Sequence, residues 1–383
     1  MVFLKKIKDM GGIGVGDLVS SGLGAAFWFY LASQIDPEYY GEIQWIIGIA
    51  SSLSYIALFG SRNAIVVFTA KKFKIQSTLY FISLISSLIL STLVVLLFPS
   101  FYQIDVGVIL FAYVINSLAI GDLLGKKLYS TYSKYVILQK VLTVILGISF
   151  FHLIGYEAII FALGFSYFFY IKRIIKCFQE MKIDFSLLKP QMGFIVNNYI
   201  LLLSAGFRGQ IDKIVIAPML GFTILGNFSL GMQFISIMAI LPGMMFKYFL
   251  TEDSSNVENN RLKIYSIISS VIISILGIIF LPIIIENLFP KFIILVNAIQ
   301  IMCLHIIPFS ISVIFESKLL ASMNTRYVLV GKLSGLGTMI LGMIILGSIF
   351  DIIGIAISLV IASTIQCLIF LVLDKKMKMK NSA

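Results

Sequence analysis

The chain has 383 residues, of which 59% are apolar and 12% charged, with a mean hydropathy of +1.02. Soluble domains are about 45–50% apolar and about 25% charged, so composition excludes a soluble globular fold and implies a multi-pass membrane protein. The formal net charge is +11, but the basic residues stand at the ends of apolar runs, as topology signals do, so no nucleic-acid partner is expected.

Crossing a bilayer takes about 20 apolar residues. On that measure spans are predicted at 13–35, 42–69, 77–99, 105–124, 135–154, 156–175, 192–217, 224–249, 263–285, 293–315, 328–349 and 352–373. The fold class is therefore all-α and integral to the membrane, with about twelve transmembrane helices. Met1 to Met10 is basic, but a full-length span without a small-residue cleavage site follows, so no cleaved leader is expected. The first span is crowded with glycine and carries Asp17, Ser21, Gly24 and Trp28 on one helical face. Asp17 lies near the interface, where a cap or a bridge to a local lysine is the simpler role. On the second span Gln44, Ser51, Tyr55 and Arg62 form a stripe. Arg62 either holds an anionic group or snorkels to head groups. Pro242 and Pro308 interrupt the eighth and tenth spans, and Asp122 and Glu316 at matching inner ends are expected to pair with nearby lysines.

All 29 lysines and arginines except Arg62, Arg208, Lys213 and Lys291 fall at the termini, in alternate loops or in the span ends beside those loops. That asymmetry predicts a cytoplasmic (plasma) membrane protein with both termini in the cytoplasm. The opposite loops, 36–41, 100–105, 155–157 and 286–292, are too short for a catalytic domain, and Lys291 is their one basic residue. The segment 172–189 reads either as an amphipathic helix at the membrane surface or as a solvated linker. It divides the chain into an N-terminal six-helix lobe, 1–190, and a C-terminal six-helix lobe, 191–383.

Residues 197–221, NNYILLLSAGFRGQIDKIVIAPMLG, read as a span holding Arg208, Asp212 and Lys213. A charge at mid-bilayer costs roughly 2.5 to 3.5 kcal/mol, so such residues face a wet cavity or a partner. A continuous helix places Asn197, Ser204, Arg208 and Asp212 on one face, in a stripe about 22 Å long. The stripe either lines a cavity for an anionic group or closes on itself as an Arg208–Asp212 pair.

Cys177, Cys303 and Cys367 lack metal-ligand spacing and are expected to be free thiols. His152 and His305 are too few for a metal site; His305, mid-span, is either structural or proton-coupling. There is no nucleophile–base arrangement, carboxylate dyad or phosphate loop. No enzyme, catalytic residue, metal or cofactor is expected.

The two halves resemble each other. LASQIDPEYYGEIQW at 31–45 matches IAPMLGFTILGNFSL at 216–230, an offset of 185 residues, with Tyr40-Gly41 against Leu225-Gly226. SKYVILQK at 133–140 matches TRYVLVGK at 325–332. A six-span duplication predicts two lobes related by a pseudo-two-fold along the membrane normal, with the substrate near the midplane between them.

The stretch 16–66, with its acidic-Pro turn, Tyr40-Gly41 opening the second span and Phe59-Gly60 near its end, resembles the opening of Wzx-type polysaccharide-biosynthesis flippases. QIDKIVIAPMLGFTILGNFSLG at 210–231 is similar to that family's second-half segment. These flippases belong to the multidrug/oligosaccharidyl-lipid/polysaccharide (MOP) exporter superfamily, whose MATE-like fold the resemblance implies. It further implies a flippase that moves a polyprenyl-pyrophosphate-linked oligosaccharide by alternating access for glycan export. Membrane lipid and the lipid-linked glycan are then the partners, a proton or sodium ion the coupling ion, and the protein a monomer. Candidate head-group residues, from position, are Arg62, Arg208 and Lys213, with Asp212, Asn197, Tyr55, Gln44 and Asp17 around them. A drug/cation antiporter of the same superfamily would need an acidic cavity. A glycan polymerase or ligase would need a large outer loop.

Overall fold

The computed structural model describes residues 2–97, 103–254, 260–322 and 324–382; the side chains of 2–13, 97, 103, 201, 204, 205, 208, 247, 251, 254, 325 and 378–382 lie outside the description. Among the described residues all regular structure is helical. The chain packs as two compact units, Met1–Leu31 with Ile43–Ile214, and Ala32–Glu42 with Val215–Ala383. Packing thus groups 191–214 with the first unit and 32–42 with the second, where the sequence suggested a single cut at 190.

The first unit contains most of α1 (Val2–Gln34) and α2 (Pro37–Ala57), then α3 (Ser61–Ala70), α4 (Gln76–Leu97), α5 (Gln103–Gly125), α6 (Tyr129–Leu153), α7 (Ile159–Phe165), α8 (Ile171–Glu180) and α9 (Met192–Arg208). Its centre is α5, which packs against α3, α4, α6, α7 and α8. Gly121 and Gly125 let α3 lie close on α5: a methyl on Gly125 would stand 2.5 Å from Thr69 Cβ, the small-residue packing usual where lipid offers no hydrophobic drive between helices. At one end of α5, buried Asp122 pairs with Arg173 at 2.9 Å and Lys126 at 3.0 Å. Burial pushes the Lys126 ammonium pKa down, but hydrogen bonds and charge from Asp122 and Glu180 outweigh it and hold it above its usual value. The segment 172–189 begins as α8, with Ile174 and Cys177 buried and Lys172 and Lys176 exposed. Ser77 and Thr78 then tie it to α4 through the carbonyls of Lys182 and Asp184.

The second unit contains most of α10 (Ile211–Met238), then α11 (Ile240–Ser254), α12 (Asn260–Leu288), α13 (Leu295–Leu304), α14 (Ile306–Ala321) and α15 (Thr325–Ser382). Here α14 packs on α11, α12 and α15. Proline has no N–H and clashes with the carbonyl four residues earlier. Accordingly α10 ends at Met238, four before Pro242, and α13 at Leu304, four before Pro308. Buried Lys263 pairs with Asp253, which also accepts from Ser317, and Lys332 pairs with Glu316.

Nine described helices are long and apolar enough to cross a membrane, or ten if α2 and α3 form one bent span. Each predicted span has a helical counterpart among the described residues. The non-helical residues Gly221 in α10 and Asp351 in α15 fall in the loops predicted between spans, at 218–223 and 350–351, whereas breaks at 209–210 and Ala239 divide the predicted spans 192–217 and 224–249.

Candidate functional site

α2 opens with Pro37 at its first position, where the missing N–H costs nothing, and with Glu38 in its first turn, where a carboxylate suits the helix dipole. It stops at Ala57. Phe59 (φ 46°) and Gly60 (φ 73°) are left-handed, and the chain bends by 49° into α3. Glycine takes that conformation without strain, and there is no room for more: a methyl on Gly60 would lie 2.7 Å from the Ile195 carbonyl oxygen and the Tyr199 nitrogen. The irregular backbone is satisfied within the protein, as a lipid environment requires. Ser61 N–H donates to the Leu58 carbonyl at 2.7 Å, and the Ser83 hydroxyl donates to the same oxygen at 3.3 Å.

The bend takes Arg62 off the continuous α2 stripe the sequence suggested and into the first turn of α3. It nonetheless lines the same cavity as Ser51 and Tyr55. That cavity, of about 180 Å³, is walled by Ser51, Ser54 and Tyr55 of α2, by Arg62, by Tyr113, Asn116, Ser117 and Ile120 of α5, and by Tyr167. Tyr113 and Tyr167 meet edge-on at 5.6 Å. Beside Tyr167, a buried network braces Ser166: Gln139 Nε2 donates to Thr143 Oγ1 at 2.8 Å and to Ser166 Oγ at 3.0 Å. Tyr55 packs so closely on α9 that a methyl on Gly206 would stand 2.1 Å from its Cδ2.

The lining is hydroxyls, an amide and one guanidinium, with no carboxylate among the described residues. Arginine stays charged and carries five N–H donors, so the wall favours an anion. Asp17 Oδ1 accepts from the Tyr132 hydroxyl at 2.8 Å, and Arg62 acts electrostatically on that same tyrosine.

The other candidates lie elsewhere. Gln44 is buried on α2 outside the cavity lining, and Asn197 is exposed on α9. The side chain of Arg208, the last residue of α9, lies outside the description. The predicted stripe does not run on to Asp212, because a turn at Gly209–Gln210, closed by bonds to the carbonyls of Gly206 and Phe207, ends the helix first. Asp212 is buried and, among the described residues, forms no ion pair within 4 Å; it interacts electrostatically with Lys213. The Lys213 stem lies across α2 at Gly48, within 2.9 Å of where a methyl would be. His305 sits at the break between α13 and α14, stacked on Phe309 at 5.6 Å. The three cysteines are free and buried. No described cluster of His, Cys, Asp or Glu could hold a metal.

The sequence reading passed over Tyr113, Asn116 and Ser117. Their signal was present: polar residues at helical spacing within an apolar span, but without a charge among them.

No protein-family model matches the sequence, and neither does any curated protein. Solved structures do match. The chain superimposes on lipid II flippase MurJ in an inward closed conformation with a TM-score of 0.76 at 15% identity, covering 95% of this chain and 87% of that one. A MATE-family multidrug resistance transporter of the MOP superfamily matches in its inward-facing conformation at 0.69 and 14% identity, over 94% of both chains. An outward-facing MATE structure matches at 0.62 and 14%, over 98% and 96%. At these identities the likeness establishes the fold: the chain is a multi-pass membrane protein with the fold shared by MurJ and the MATE transporters.

Proposed function

We propose that this protein is a transporter, not an enzyme, that flips a polyprenyl-pyrophosphate-linked oligosaccharide across the cytoplasmic membrane by alternating access, with both termini cytoplasmic. One observation carries the reading: a guanidinium, on a bent pair of helices that together are long and apolar enough to span a membrane, opens onto a polar cavity whose described lining holds no carboxylate. Intramembrane arginine is costly, and its default meaning is a functional site. The likeness in fold to a lipid II flippase supports the same class of cargo. An exporter of organic cations would place carboxylates in this wall.

The cavity, of about 180 Å³, has room for a phosphoryl or pyrophosphoryl group. Arg62 grips the anion bidentately. Tyr55, Tyr113, Asn116 and the serines complete its hydrogen bonds, while the polyprenyl tail stays in lipid. Lys213, its stem against Gly48 of α2, adds positive charge, and Asp212 offsets it. The protein acts as a monomer, with a proton or sodium gradient available to drive it.

The test is equilibrium titration of the detergent-solubilised protein with pyrophosphate. A charge-assisted contact contributes about 1.5–3 kcal/mol, so Arg62→Ala is expected to weaken binding about 10- to 150-fold. Tight binding of an organic cation with none of pyrophosphate would overturn the proposal in favour of an antiporter.

A further inference from the structure

An exposed apolar side chain on a membrane span faces lipid and needs no other partner. Phe73, Ile183, Phe185 and Leu187 are exposed but stand outside the span-length helices. Phe73 lies in the turn 71–75 between α3 and α4, directly before the span that begins at Gln76. The other three lie in the linker 181–191, between the end of α8 and the start of α9. Both segments belong to the first unit.

The first turn of α4 holds the two segments side by side. The Ser77 hydroxyl donates to the Lys182 carbonyl at 2.7 Å and the Thr78 hydroxyl to the Asp184 carbonyl at 3.1 Å, while the Asp184 N–H donates back to Thr78 Oγ1 at 2.9 Å. Phe81 meets Phe185 edge-on, with ring centres 6.1 Å apart. Phe68 touches Phe73 at 6.0 Å and Phe194, just past the linker, at 5.4 Å. The linker is thus gripped by its backbone at the very end of a span, and its apolar side chains stay exposed.

Lysines surround them. Lys71, Lys72, Lys74, Lys182 and Lys189 are exposed and form no ion pair among the described residues. The acids at hand are already engaged: Glu180 with Lys126 and Lys176, and Asp184 with the N–H and hydroxyl of Ser186. Uncompensated ammonium groups beside apolar side chains, immediately beyond a span, match the chemistry of an anionic leaflet, where phosphates lie just above the acyl boundary. We propose that residues 71–74 and 182–189 form one docking surface for anionic phospholipid head groups, with Phe73, Ile183, Phe185 and Leu187 dipping below the phosphates. The surface anchors the linker between the two halves of the sequence. It uses none of the residues that line the cavity, so it does not depend on what the cavity carries.

The test uses the full-length protein in a non-ionic detergent, with Cys177, Cys303 and Cys367 replaced by alanine and an environment-sensitive dye on Ile183→Cys. It is titrated separately with short-chain phosphatidylglycerol, short-chain phosphatidylcholine, glycerol phosphate and polyglutamate. Phosphatidylglycerol is expected to saturate the dye response at the lowest concentration. A lysine at an anionic surface contributes about fivefold in affinity. Lys72→Gln and Lys182→Gln should therefore each raise the half-saturating concentration about fivefold, and the corresponding arginine variants should keep the wild-type value. Lys375→Gln, at an exposed lysine of the second unit, should change nothing. Phosphatidylcholine acting as well as phosphatidylglycerol would overturn the proposal, as would unchanged affinity in both glutamine variants or an equal loss in Lys375→Gln. A response to polyglutamate without one to phosphatidylglycerol would replace the leaflet with an acidic protein partner, and a response to glycerol phosphate at the same concentration would reduce the surface to a site for free anions.

Discussion

The ion cluster at the end of α5 makes the sharpest prediction about what holds the first unit together. Asp122 is 1% exposed and bridges Arg173 and Lys126. Removing one partner of a buried pair costs about 3–5 kcal/mol, because the other charge stays buried without compensation. Here the Arg173 side chain is 13% exposed and would be stranded, while Lys126, 28% exposed, keeps Glu180 at 3.3 Å. Asp122→Ala should therefore fall at the low end, about 3 kcal/mol, or a melting point lower by about 6–12 °C. Glu180→Ala touches only the exposed side of the cluster and should cost under about 1 kcal/mol. Cys177, buried beside the cluster, supplies the assay: with Cys303 and Cys367 replaced by alanine, a thiol-reactive dye reports when this unit opens. If Asp122→Ala melts within about 2 °C of wild type, or Glu180→Ala costs as much, the buried pair is not what holds α5, α8 and Lys126 together.

Two further substitutions bear on the cavity. Gly206→Ala drives a methyl into the Tyr55 ring and should cost about 1–3 kcal/mol by overpacking; it should also weaken pyrophosphate binding without altering any lining residue, and an unchanged titration would show that Tyr55 does not shape the site. Gly60→Ala forces a side chain into the left-handed conformation, at about 1–2 kcal/mol, and against the backbone of α9. It is expected to lower the melting point and to swing Arg62 out of place; native affinity in a folded Gly60→Ala protein would contradict the role given to the bend.

What the sequence revealed and what it hid follow from the same solvent. Lipid selects composition, so apolar runs locate the spans well. It does not select where a helix breaks, because breaks are decided by which neighbour can satisfy the freed backbone. Pro242 and Pro308 announce their breaks chemically. The break at Phe59–Gly60 depends on Ser83 reaching across from α4, and the turn at Gly209–Gln210 on two local hydrogen bonds, neither of which a periodicity shows. The stripe through Arg208 and Asp212 was therefore drawn too long. Arg62 was conspicuous as a charge, whereas Tyr113, Asn116 and Ser117 were not, although they form the facing wall. The glycine pair at an offset of 185 was visible as similarity; that its members touch was not.

The most direct measurement is in liposomes carrying the purified protein and a fluorescently labelled polyprenyl-pyrophosphate sugar, with a membrane-impermeant quencher outside. The wild-type protein should expose the head group on the far leaflet, and Arg62→Ala, folded and inserted equally well, should slow that exposure at least about tenfold. Exposure at equal rates in the two proteins, or no faster than in liposomes without protein, would contradict the assignment of a pyrophosphate-gripping arginine to this cavity.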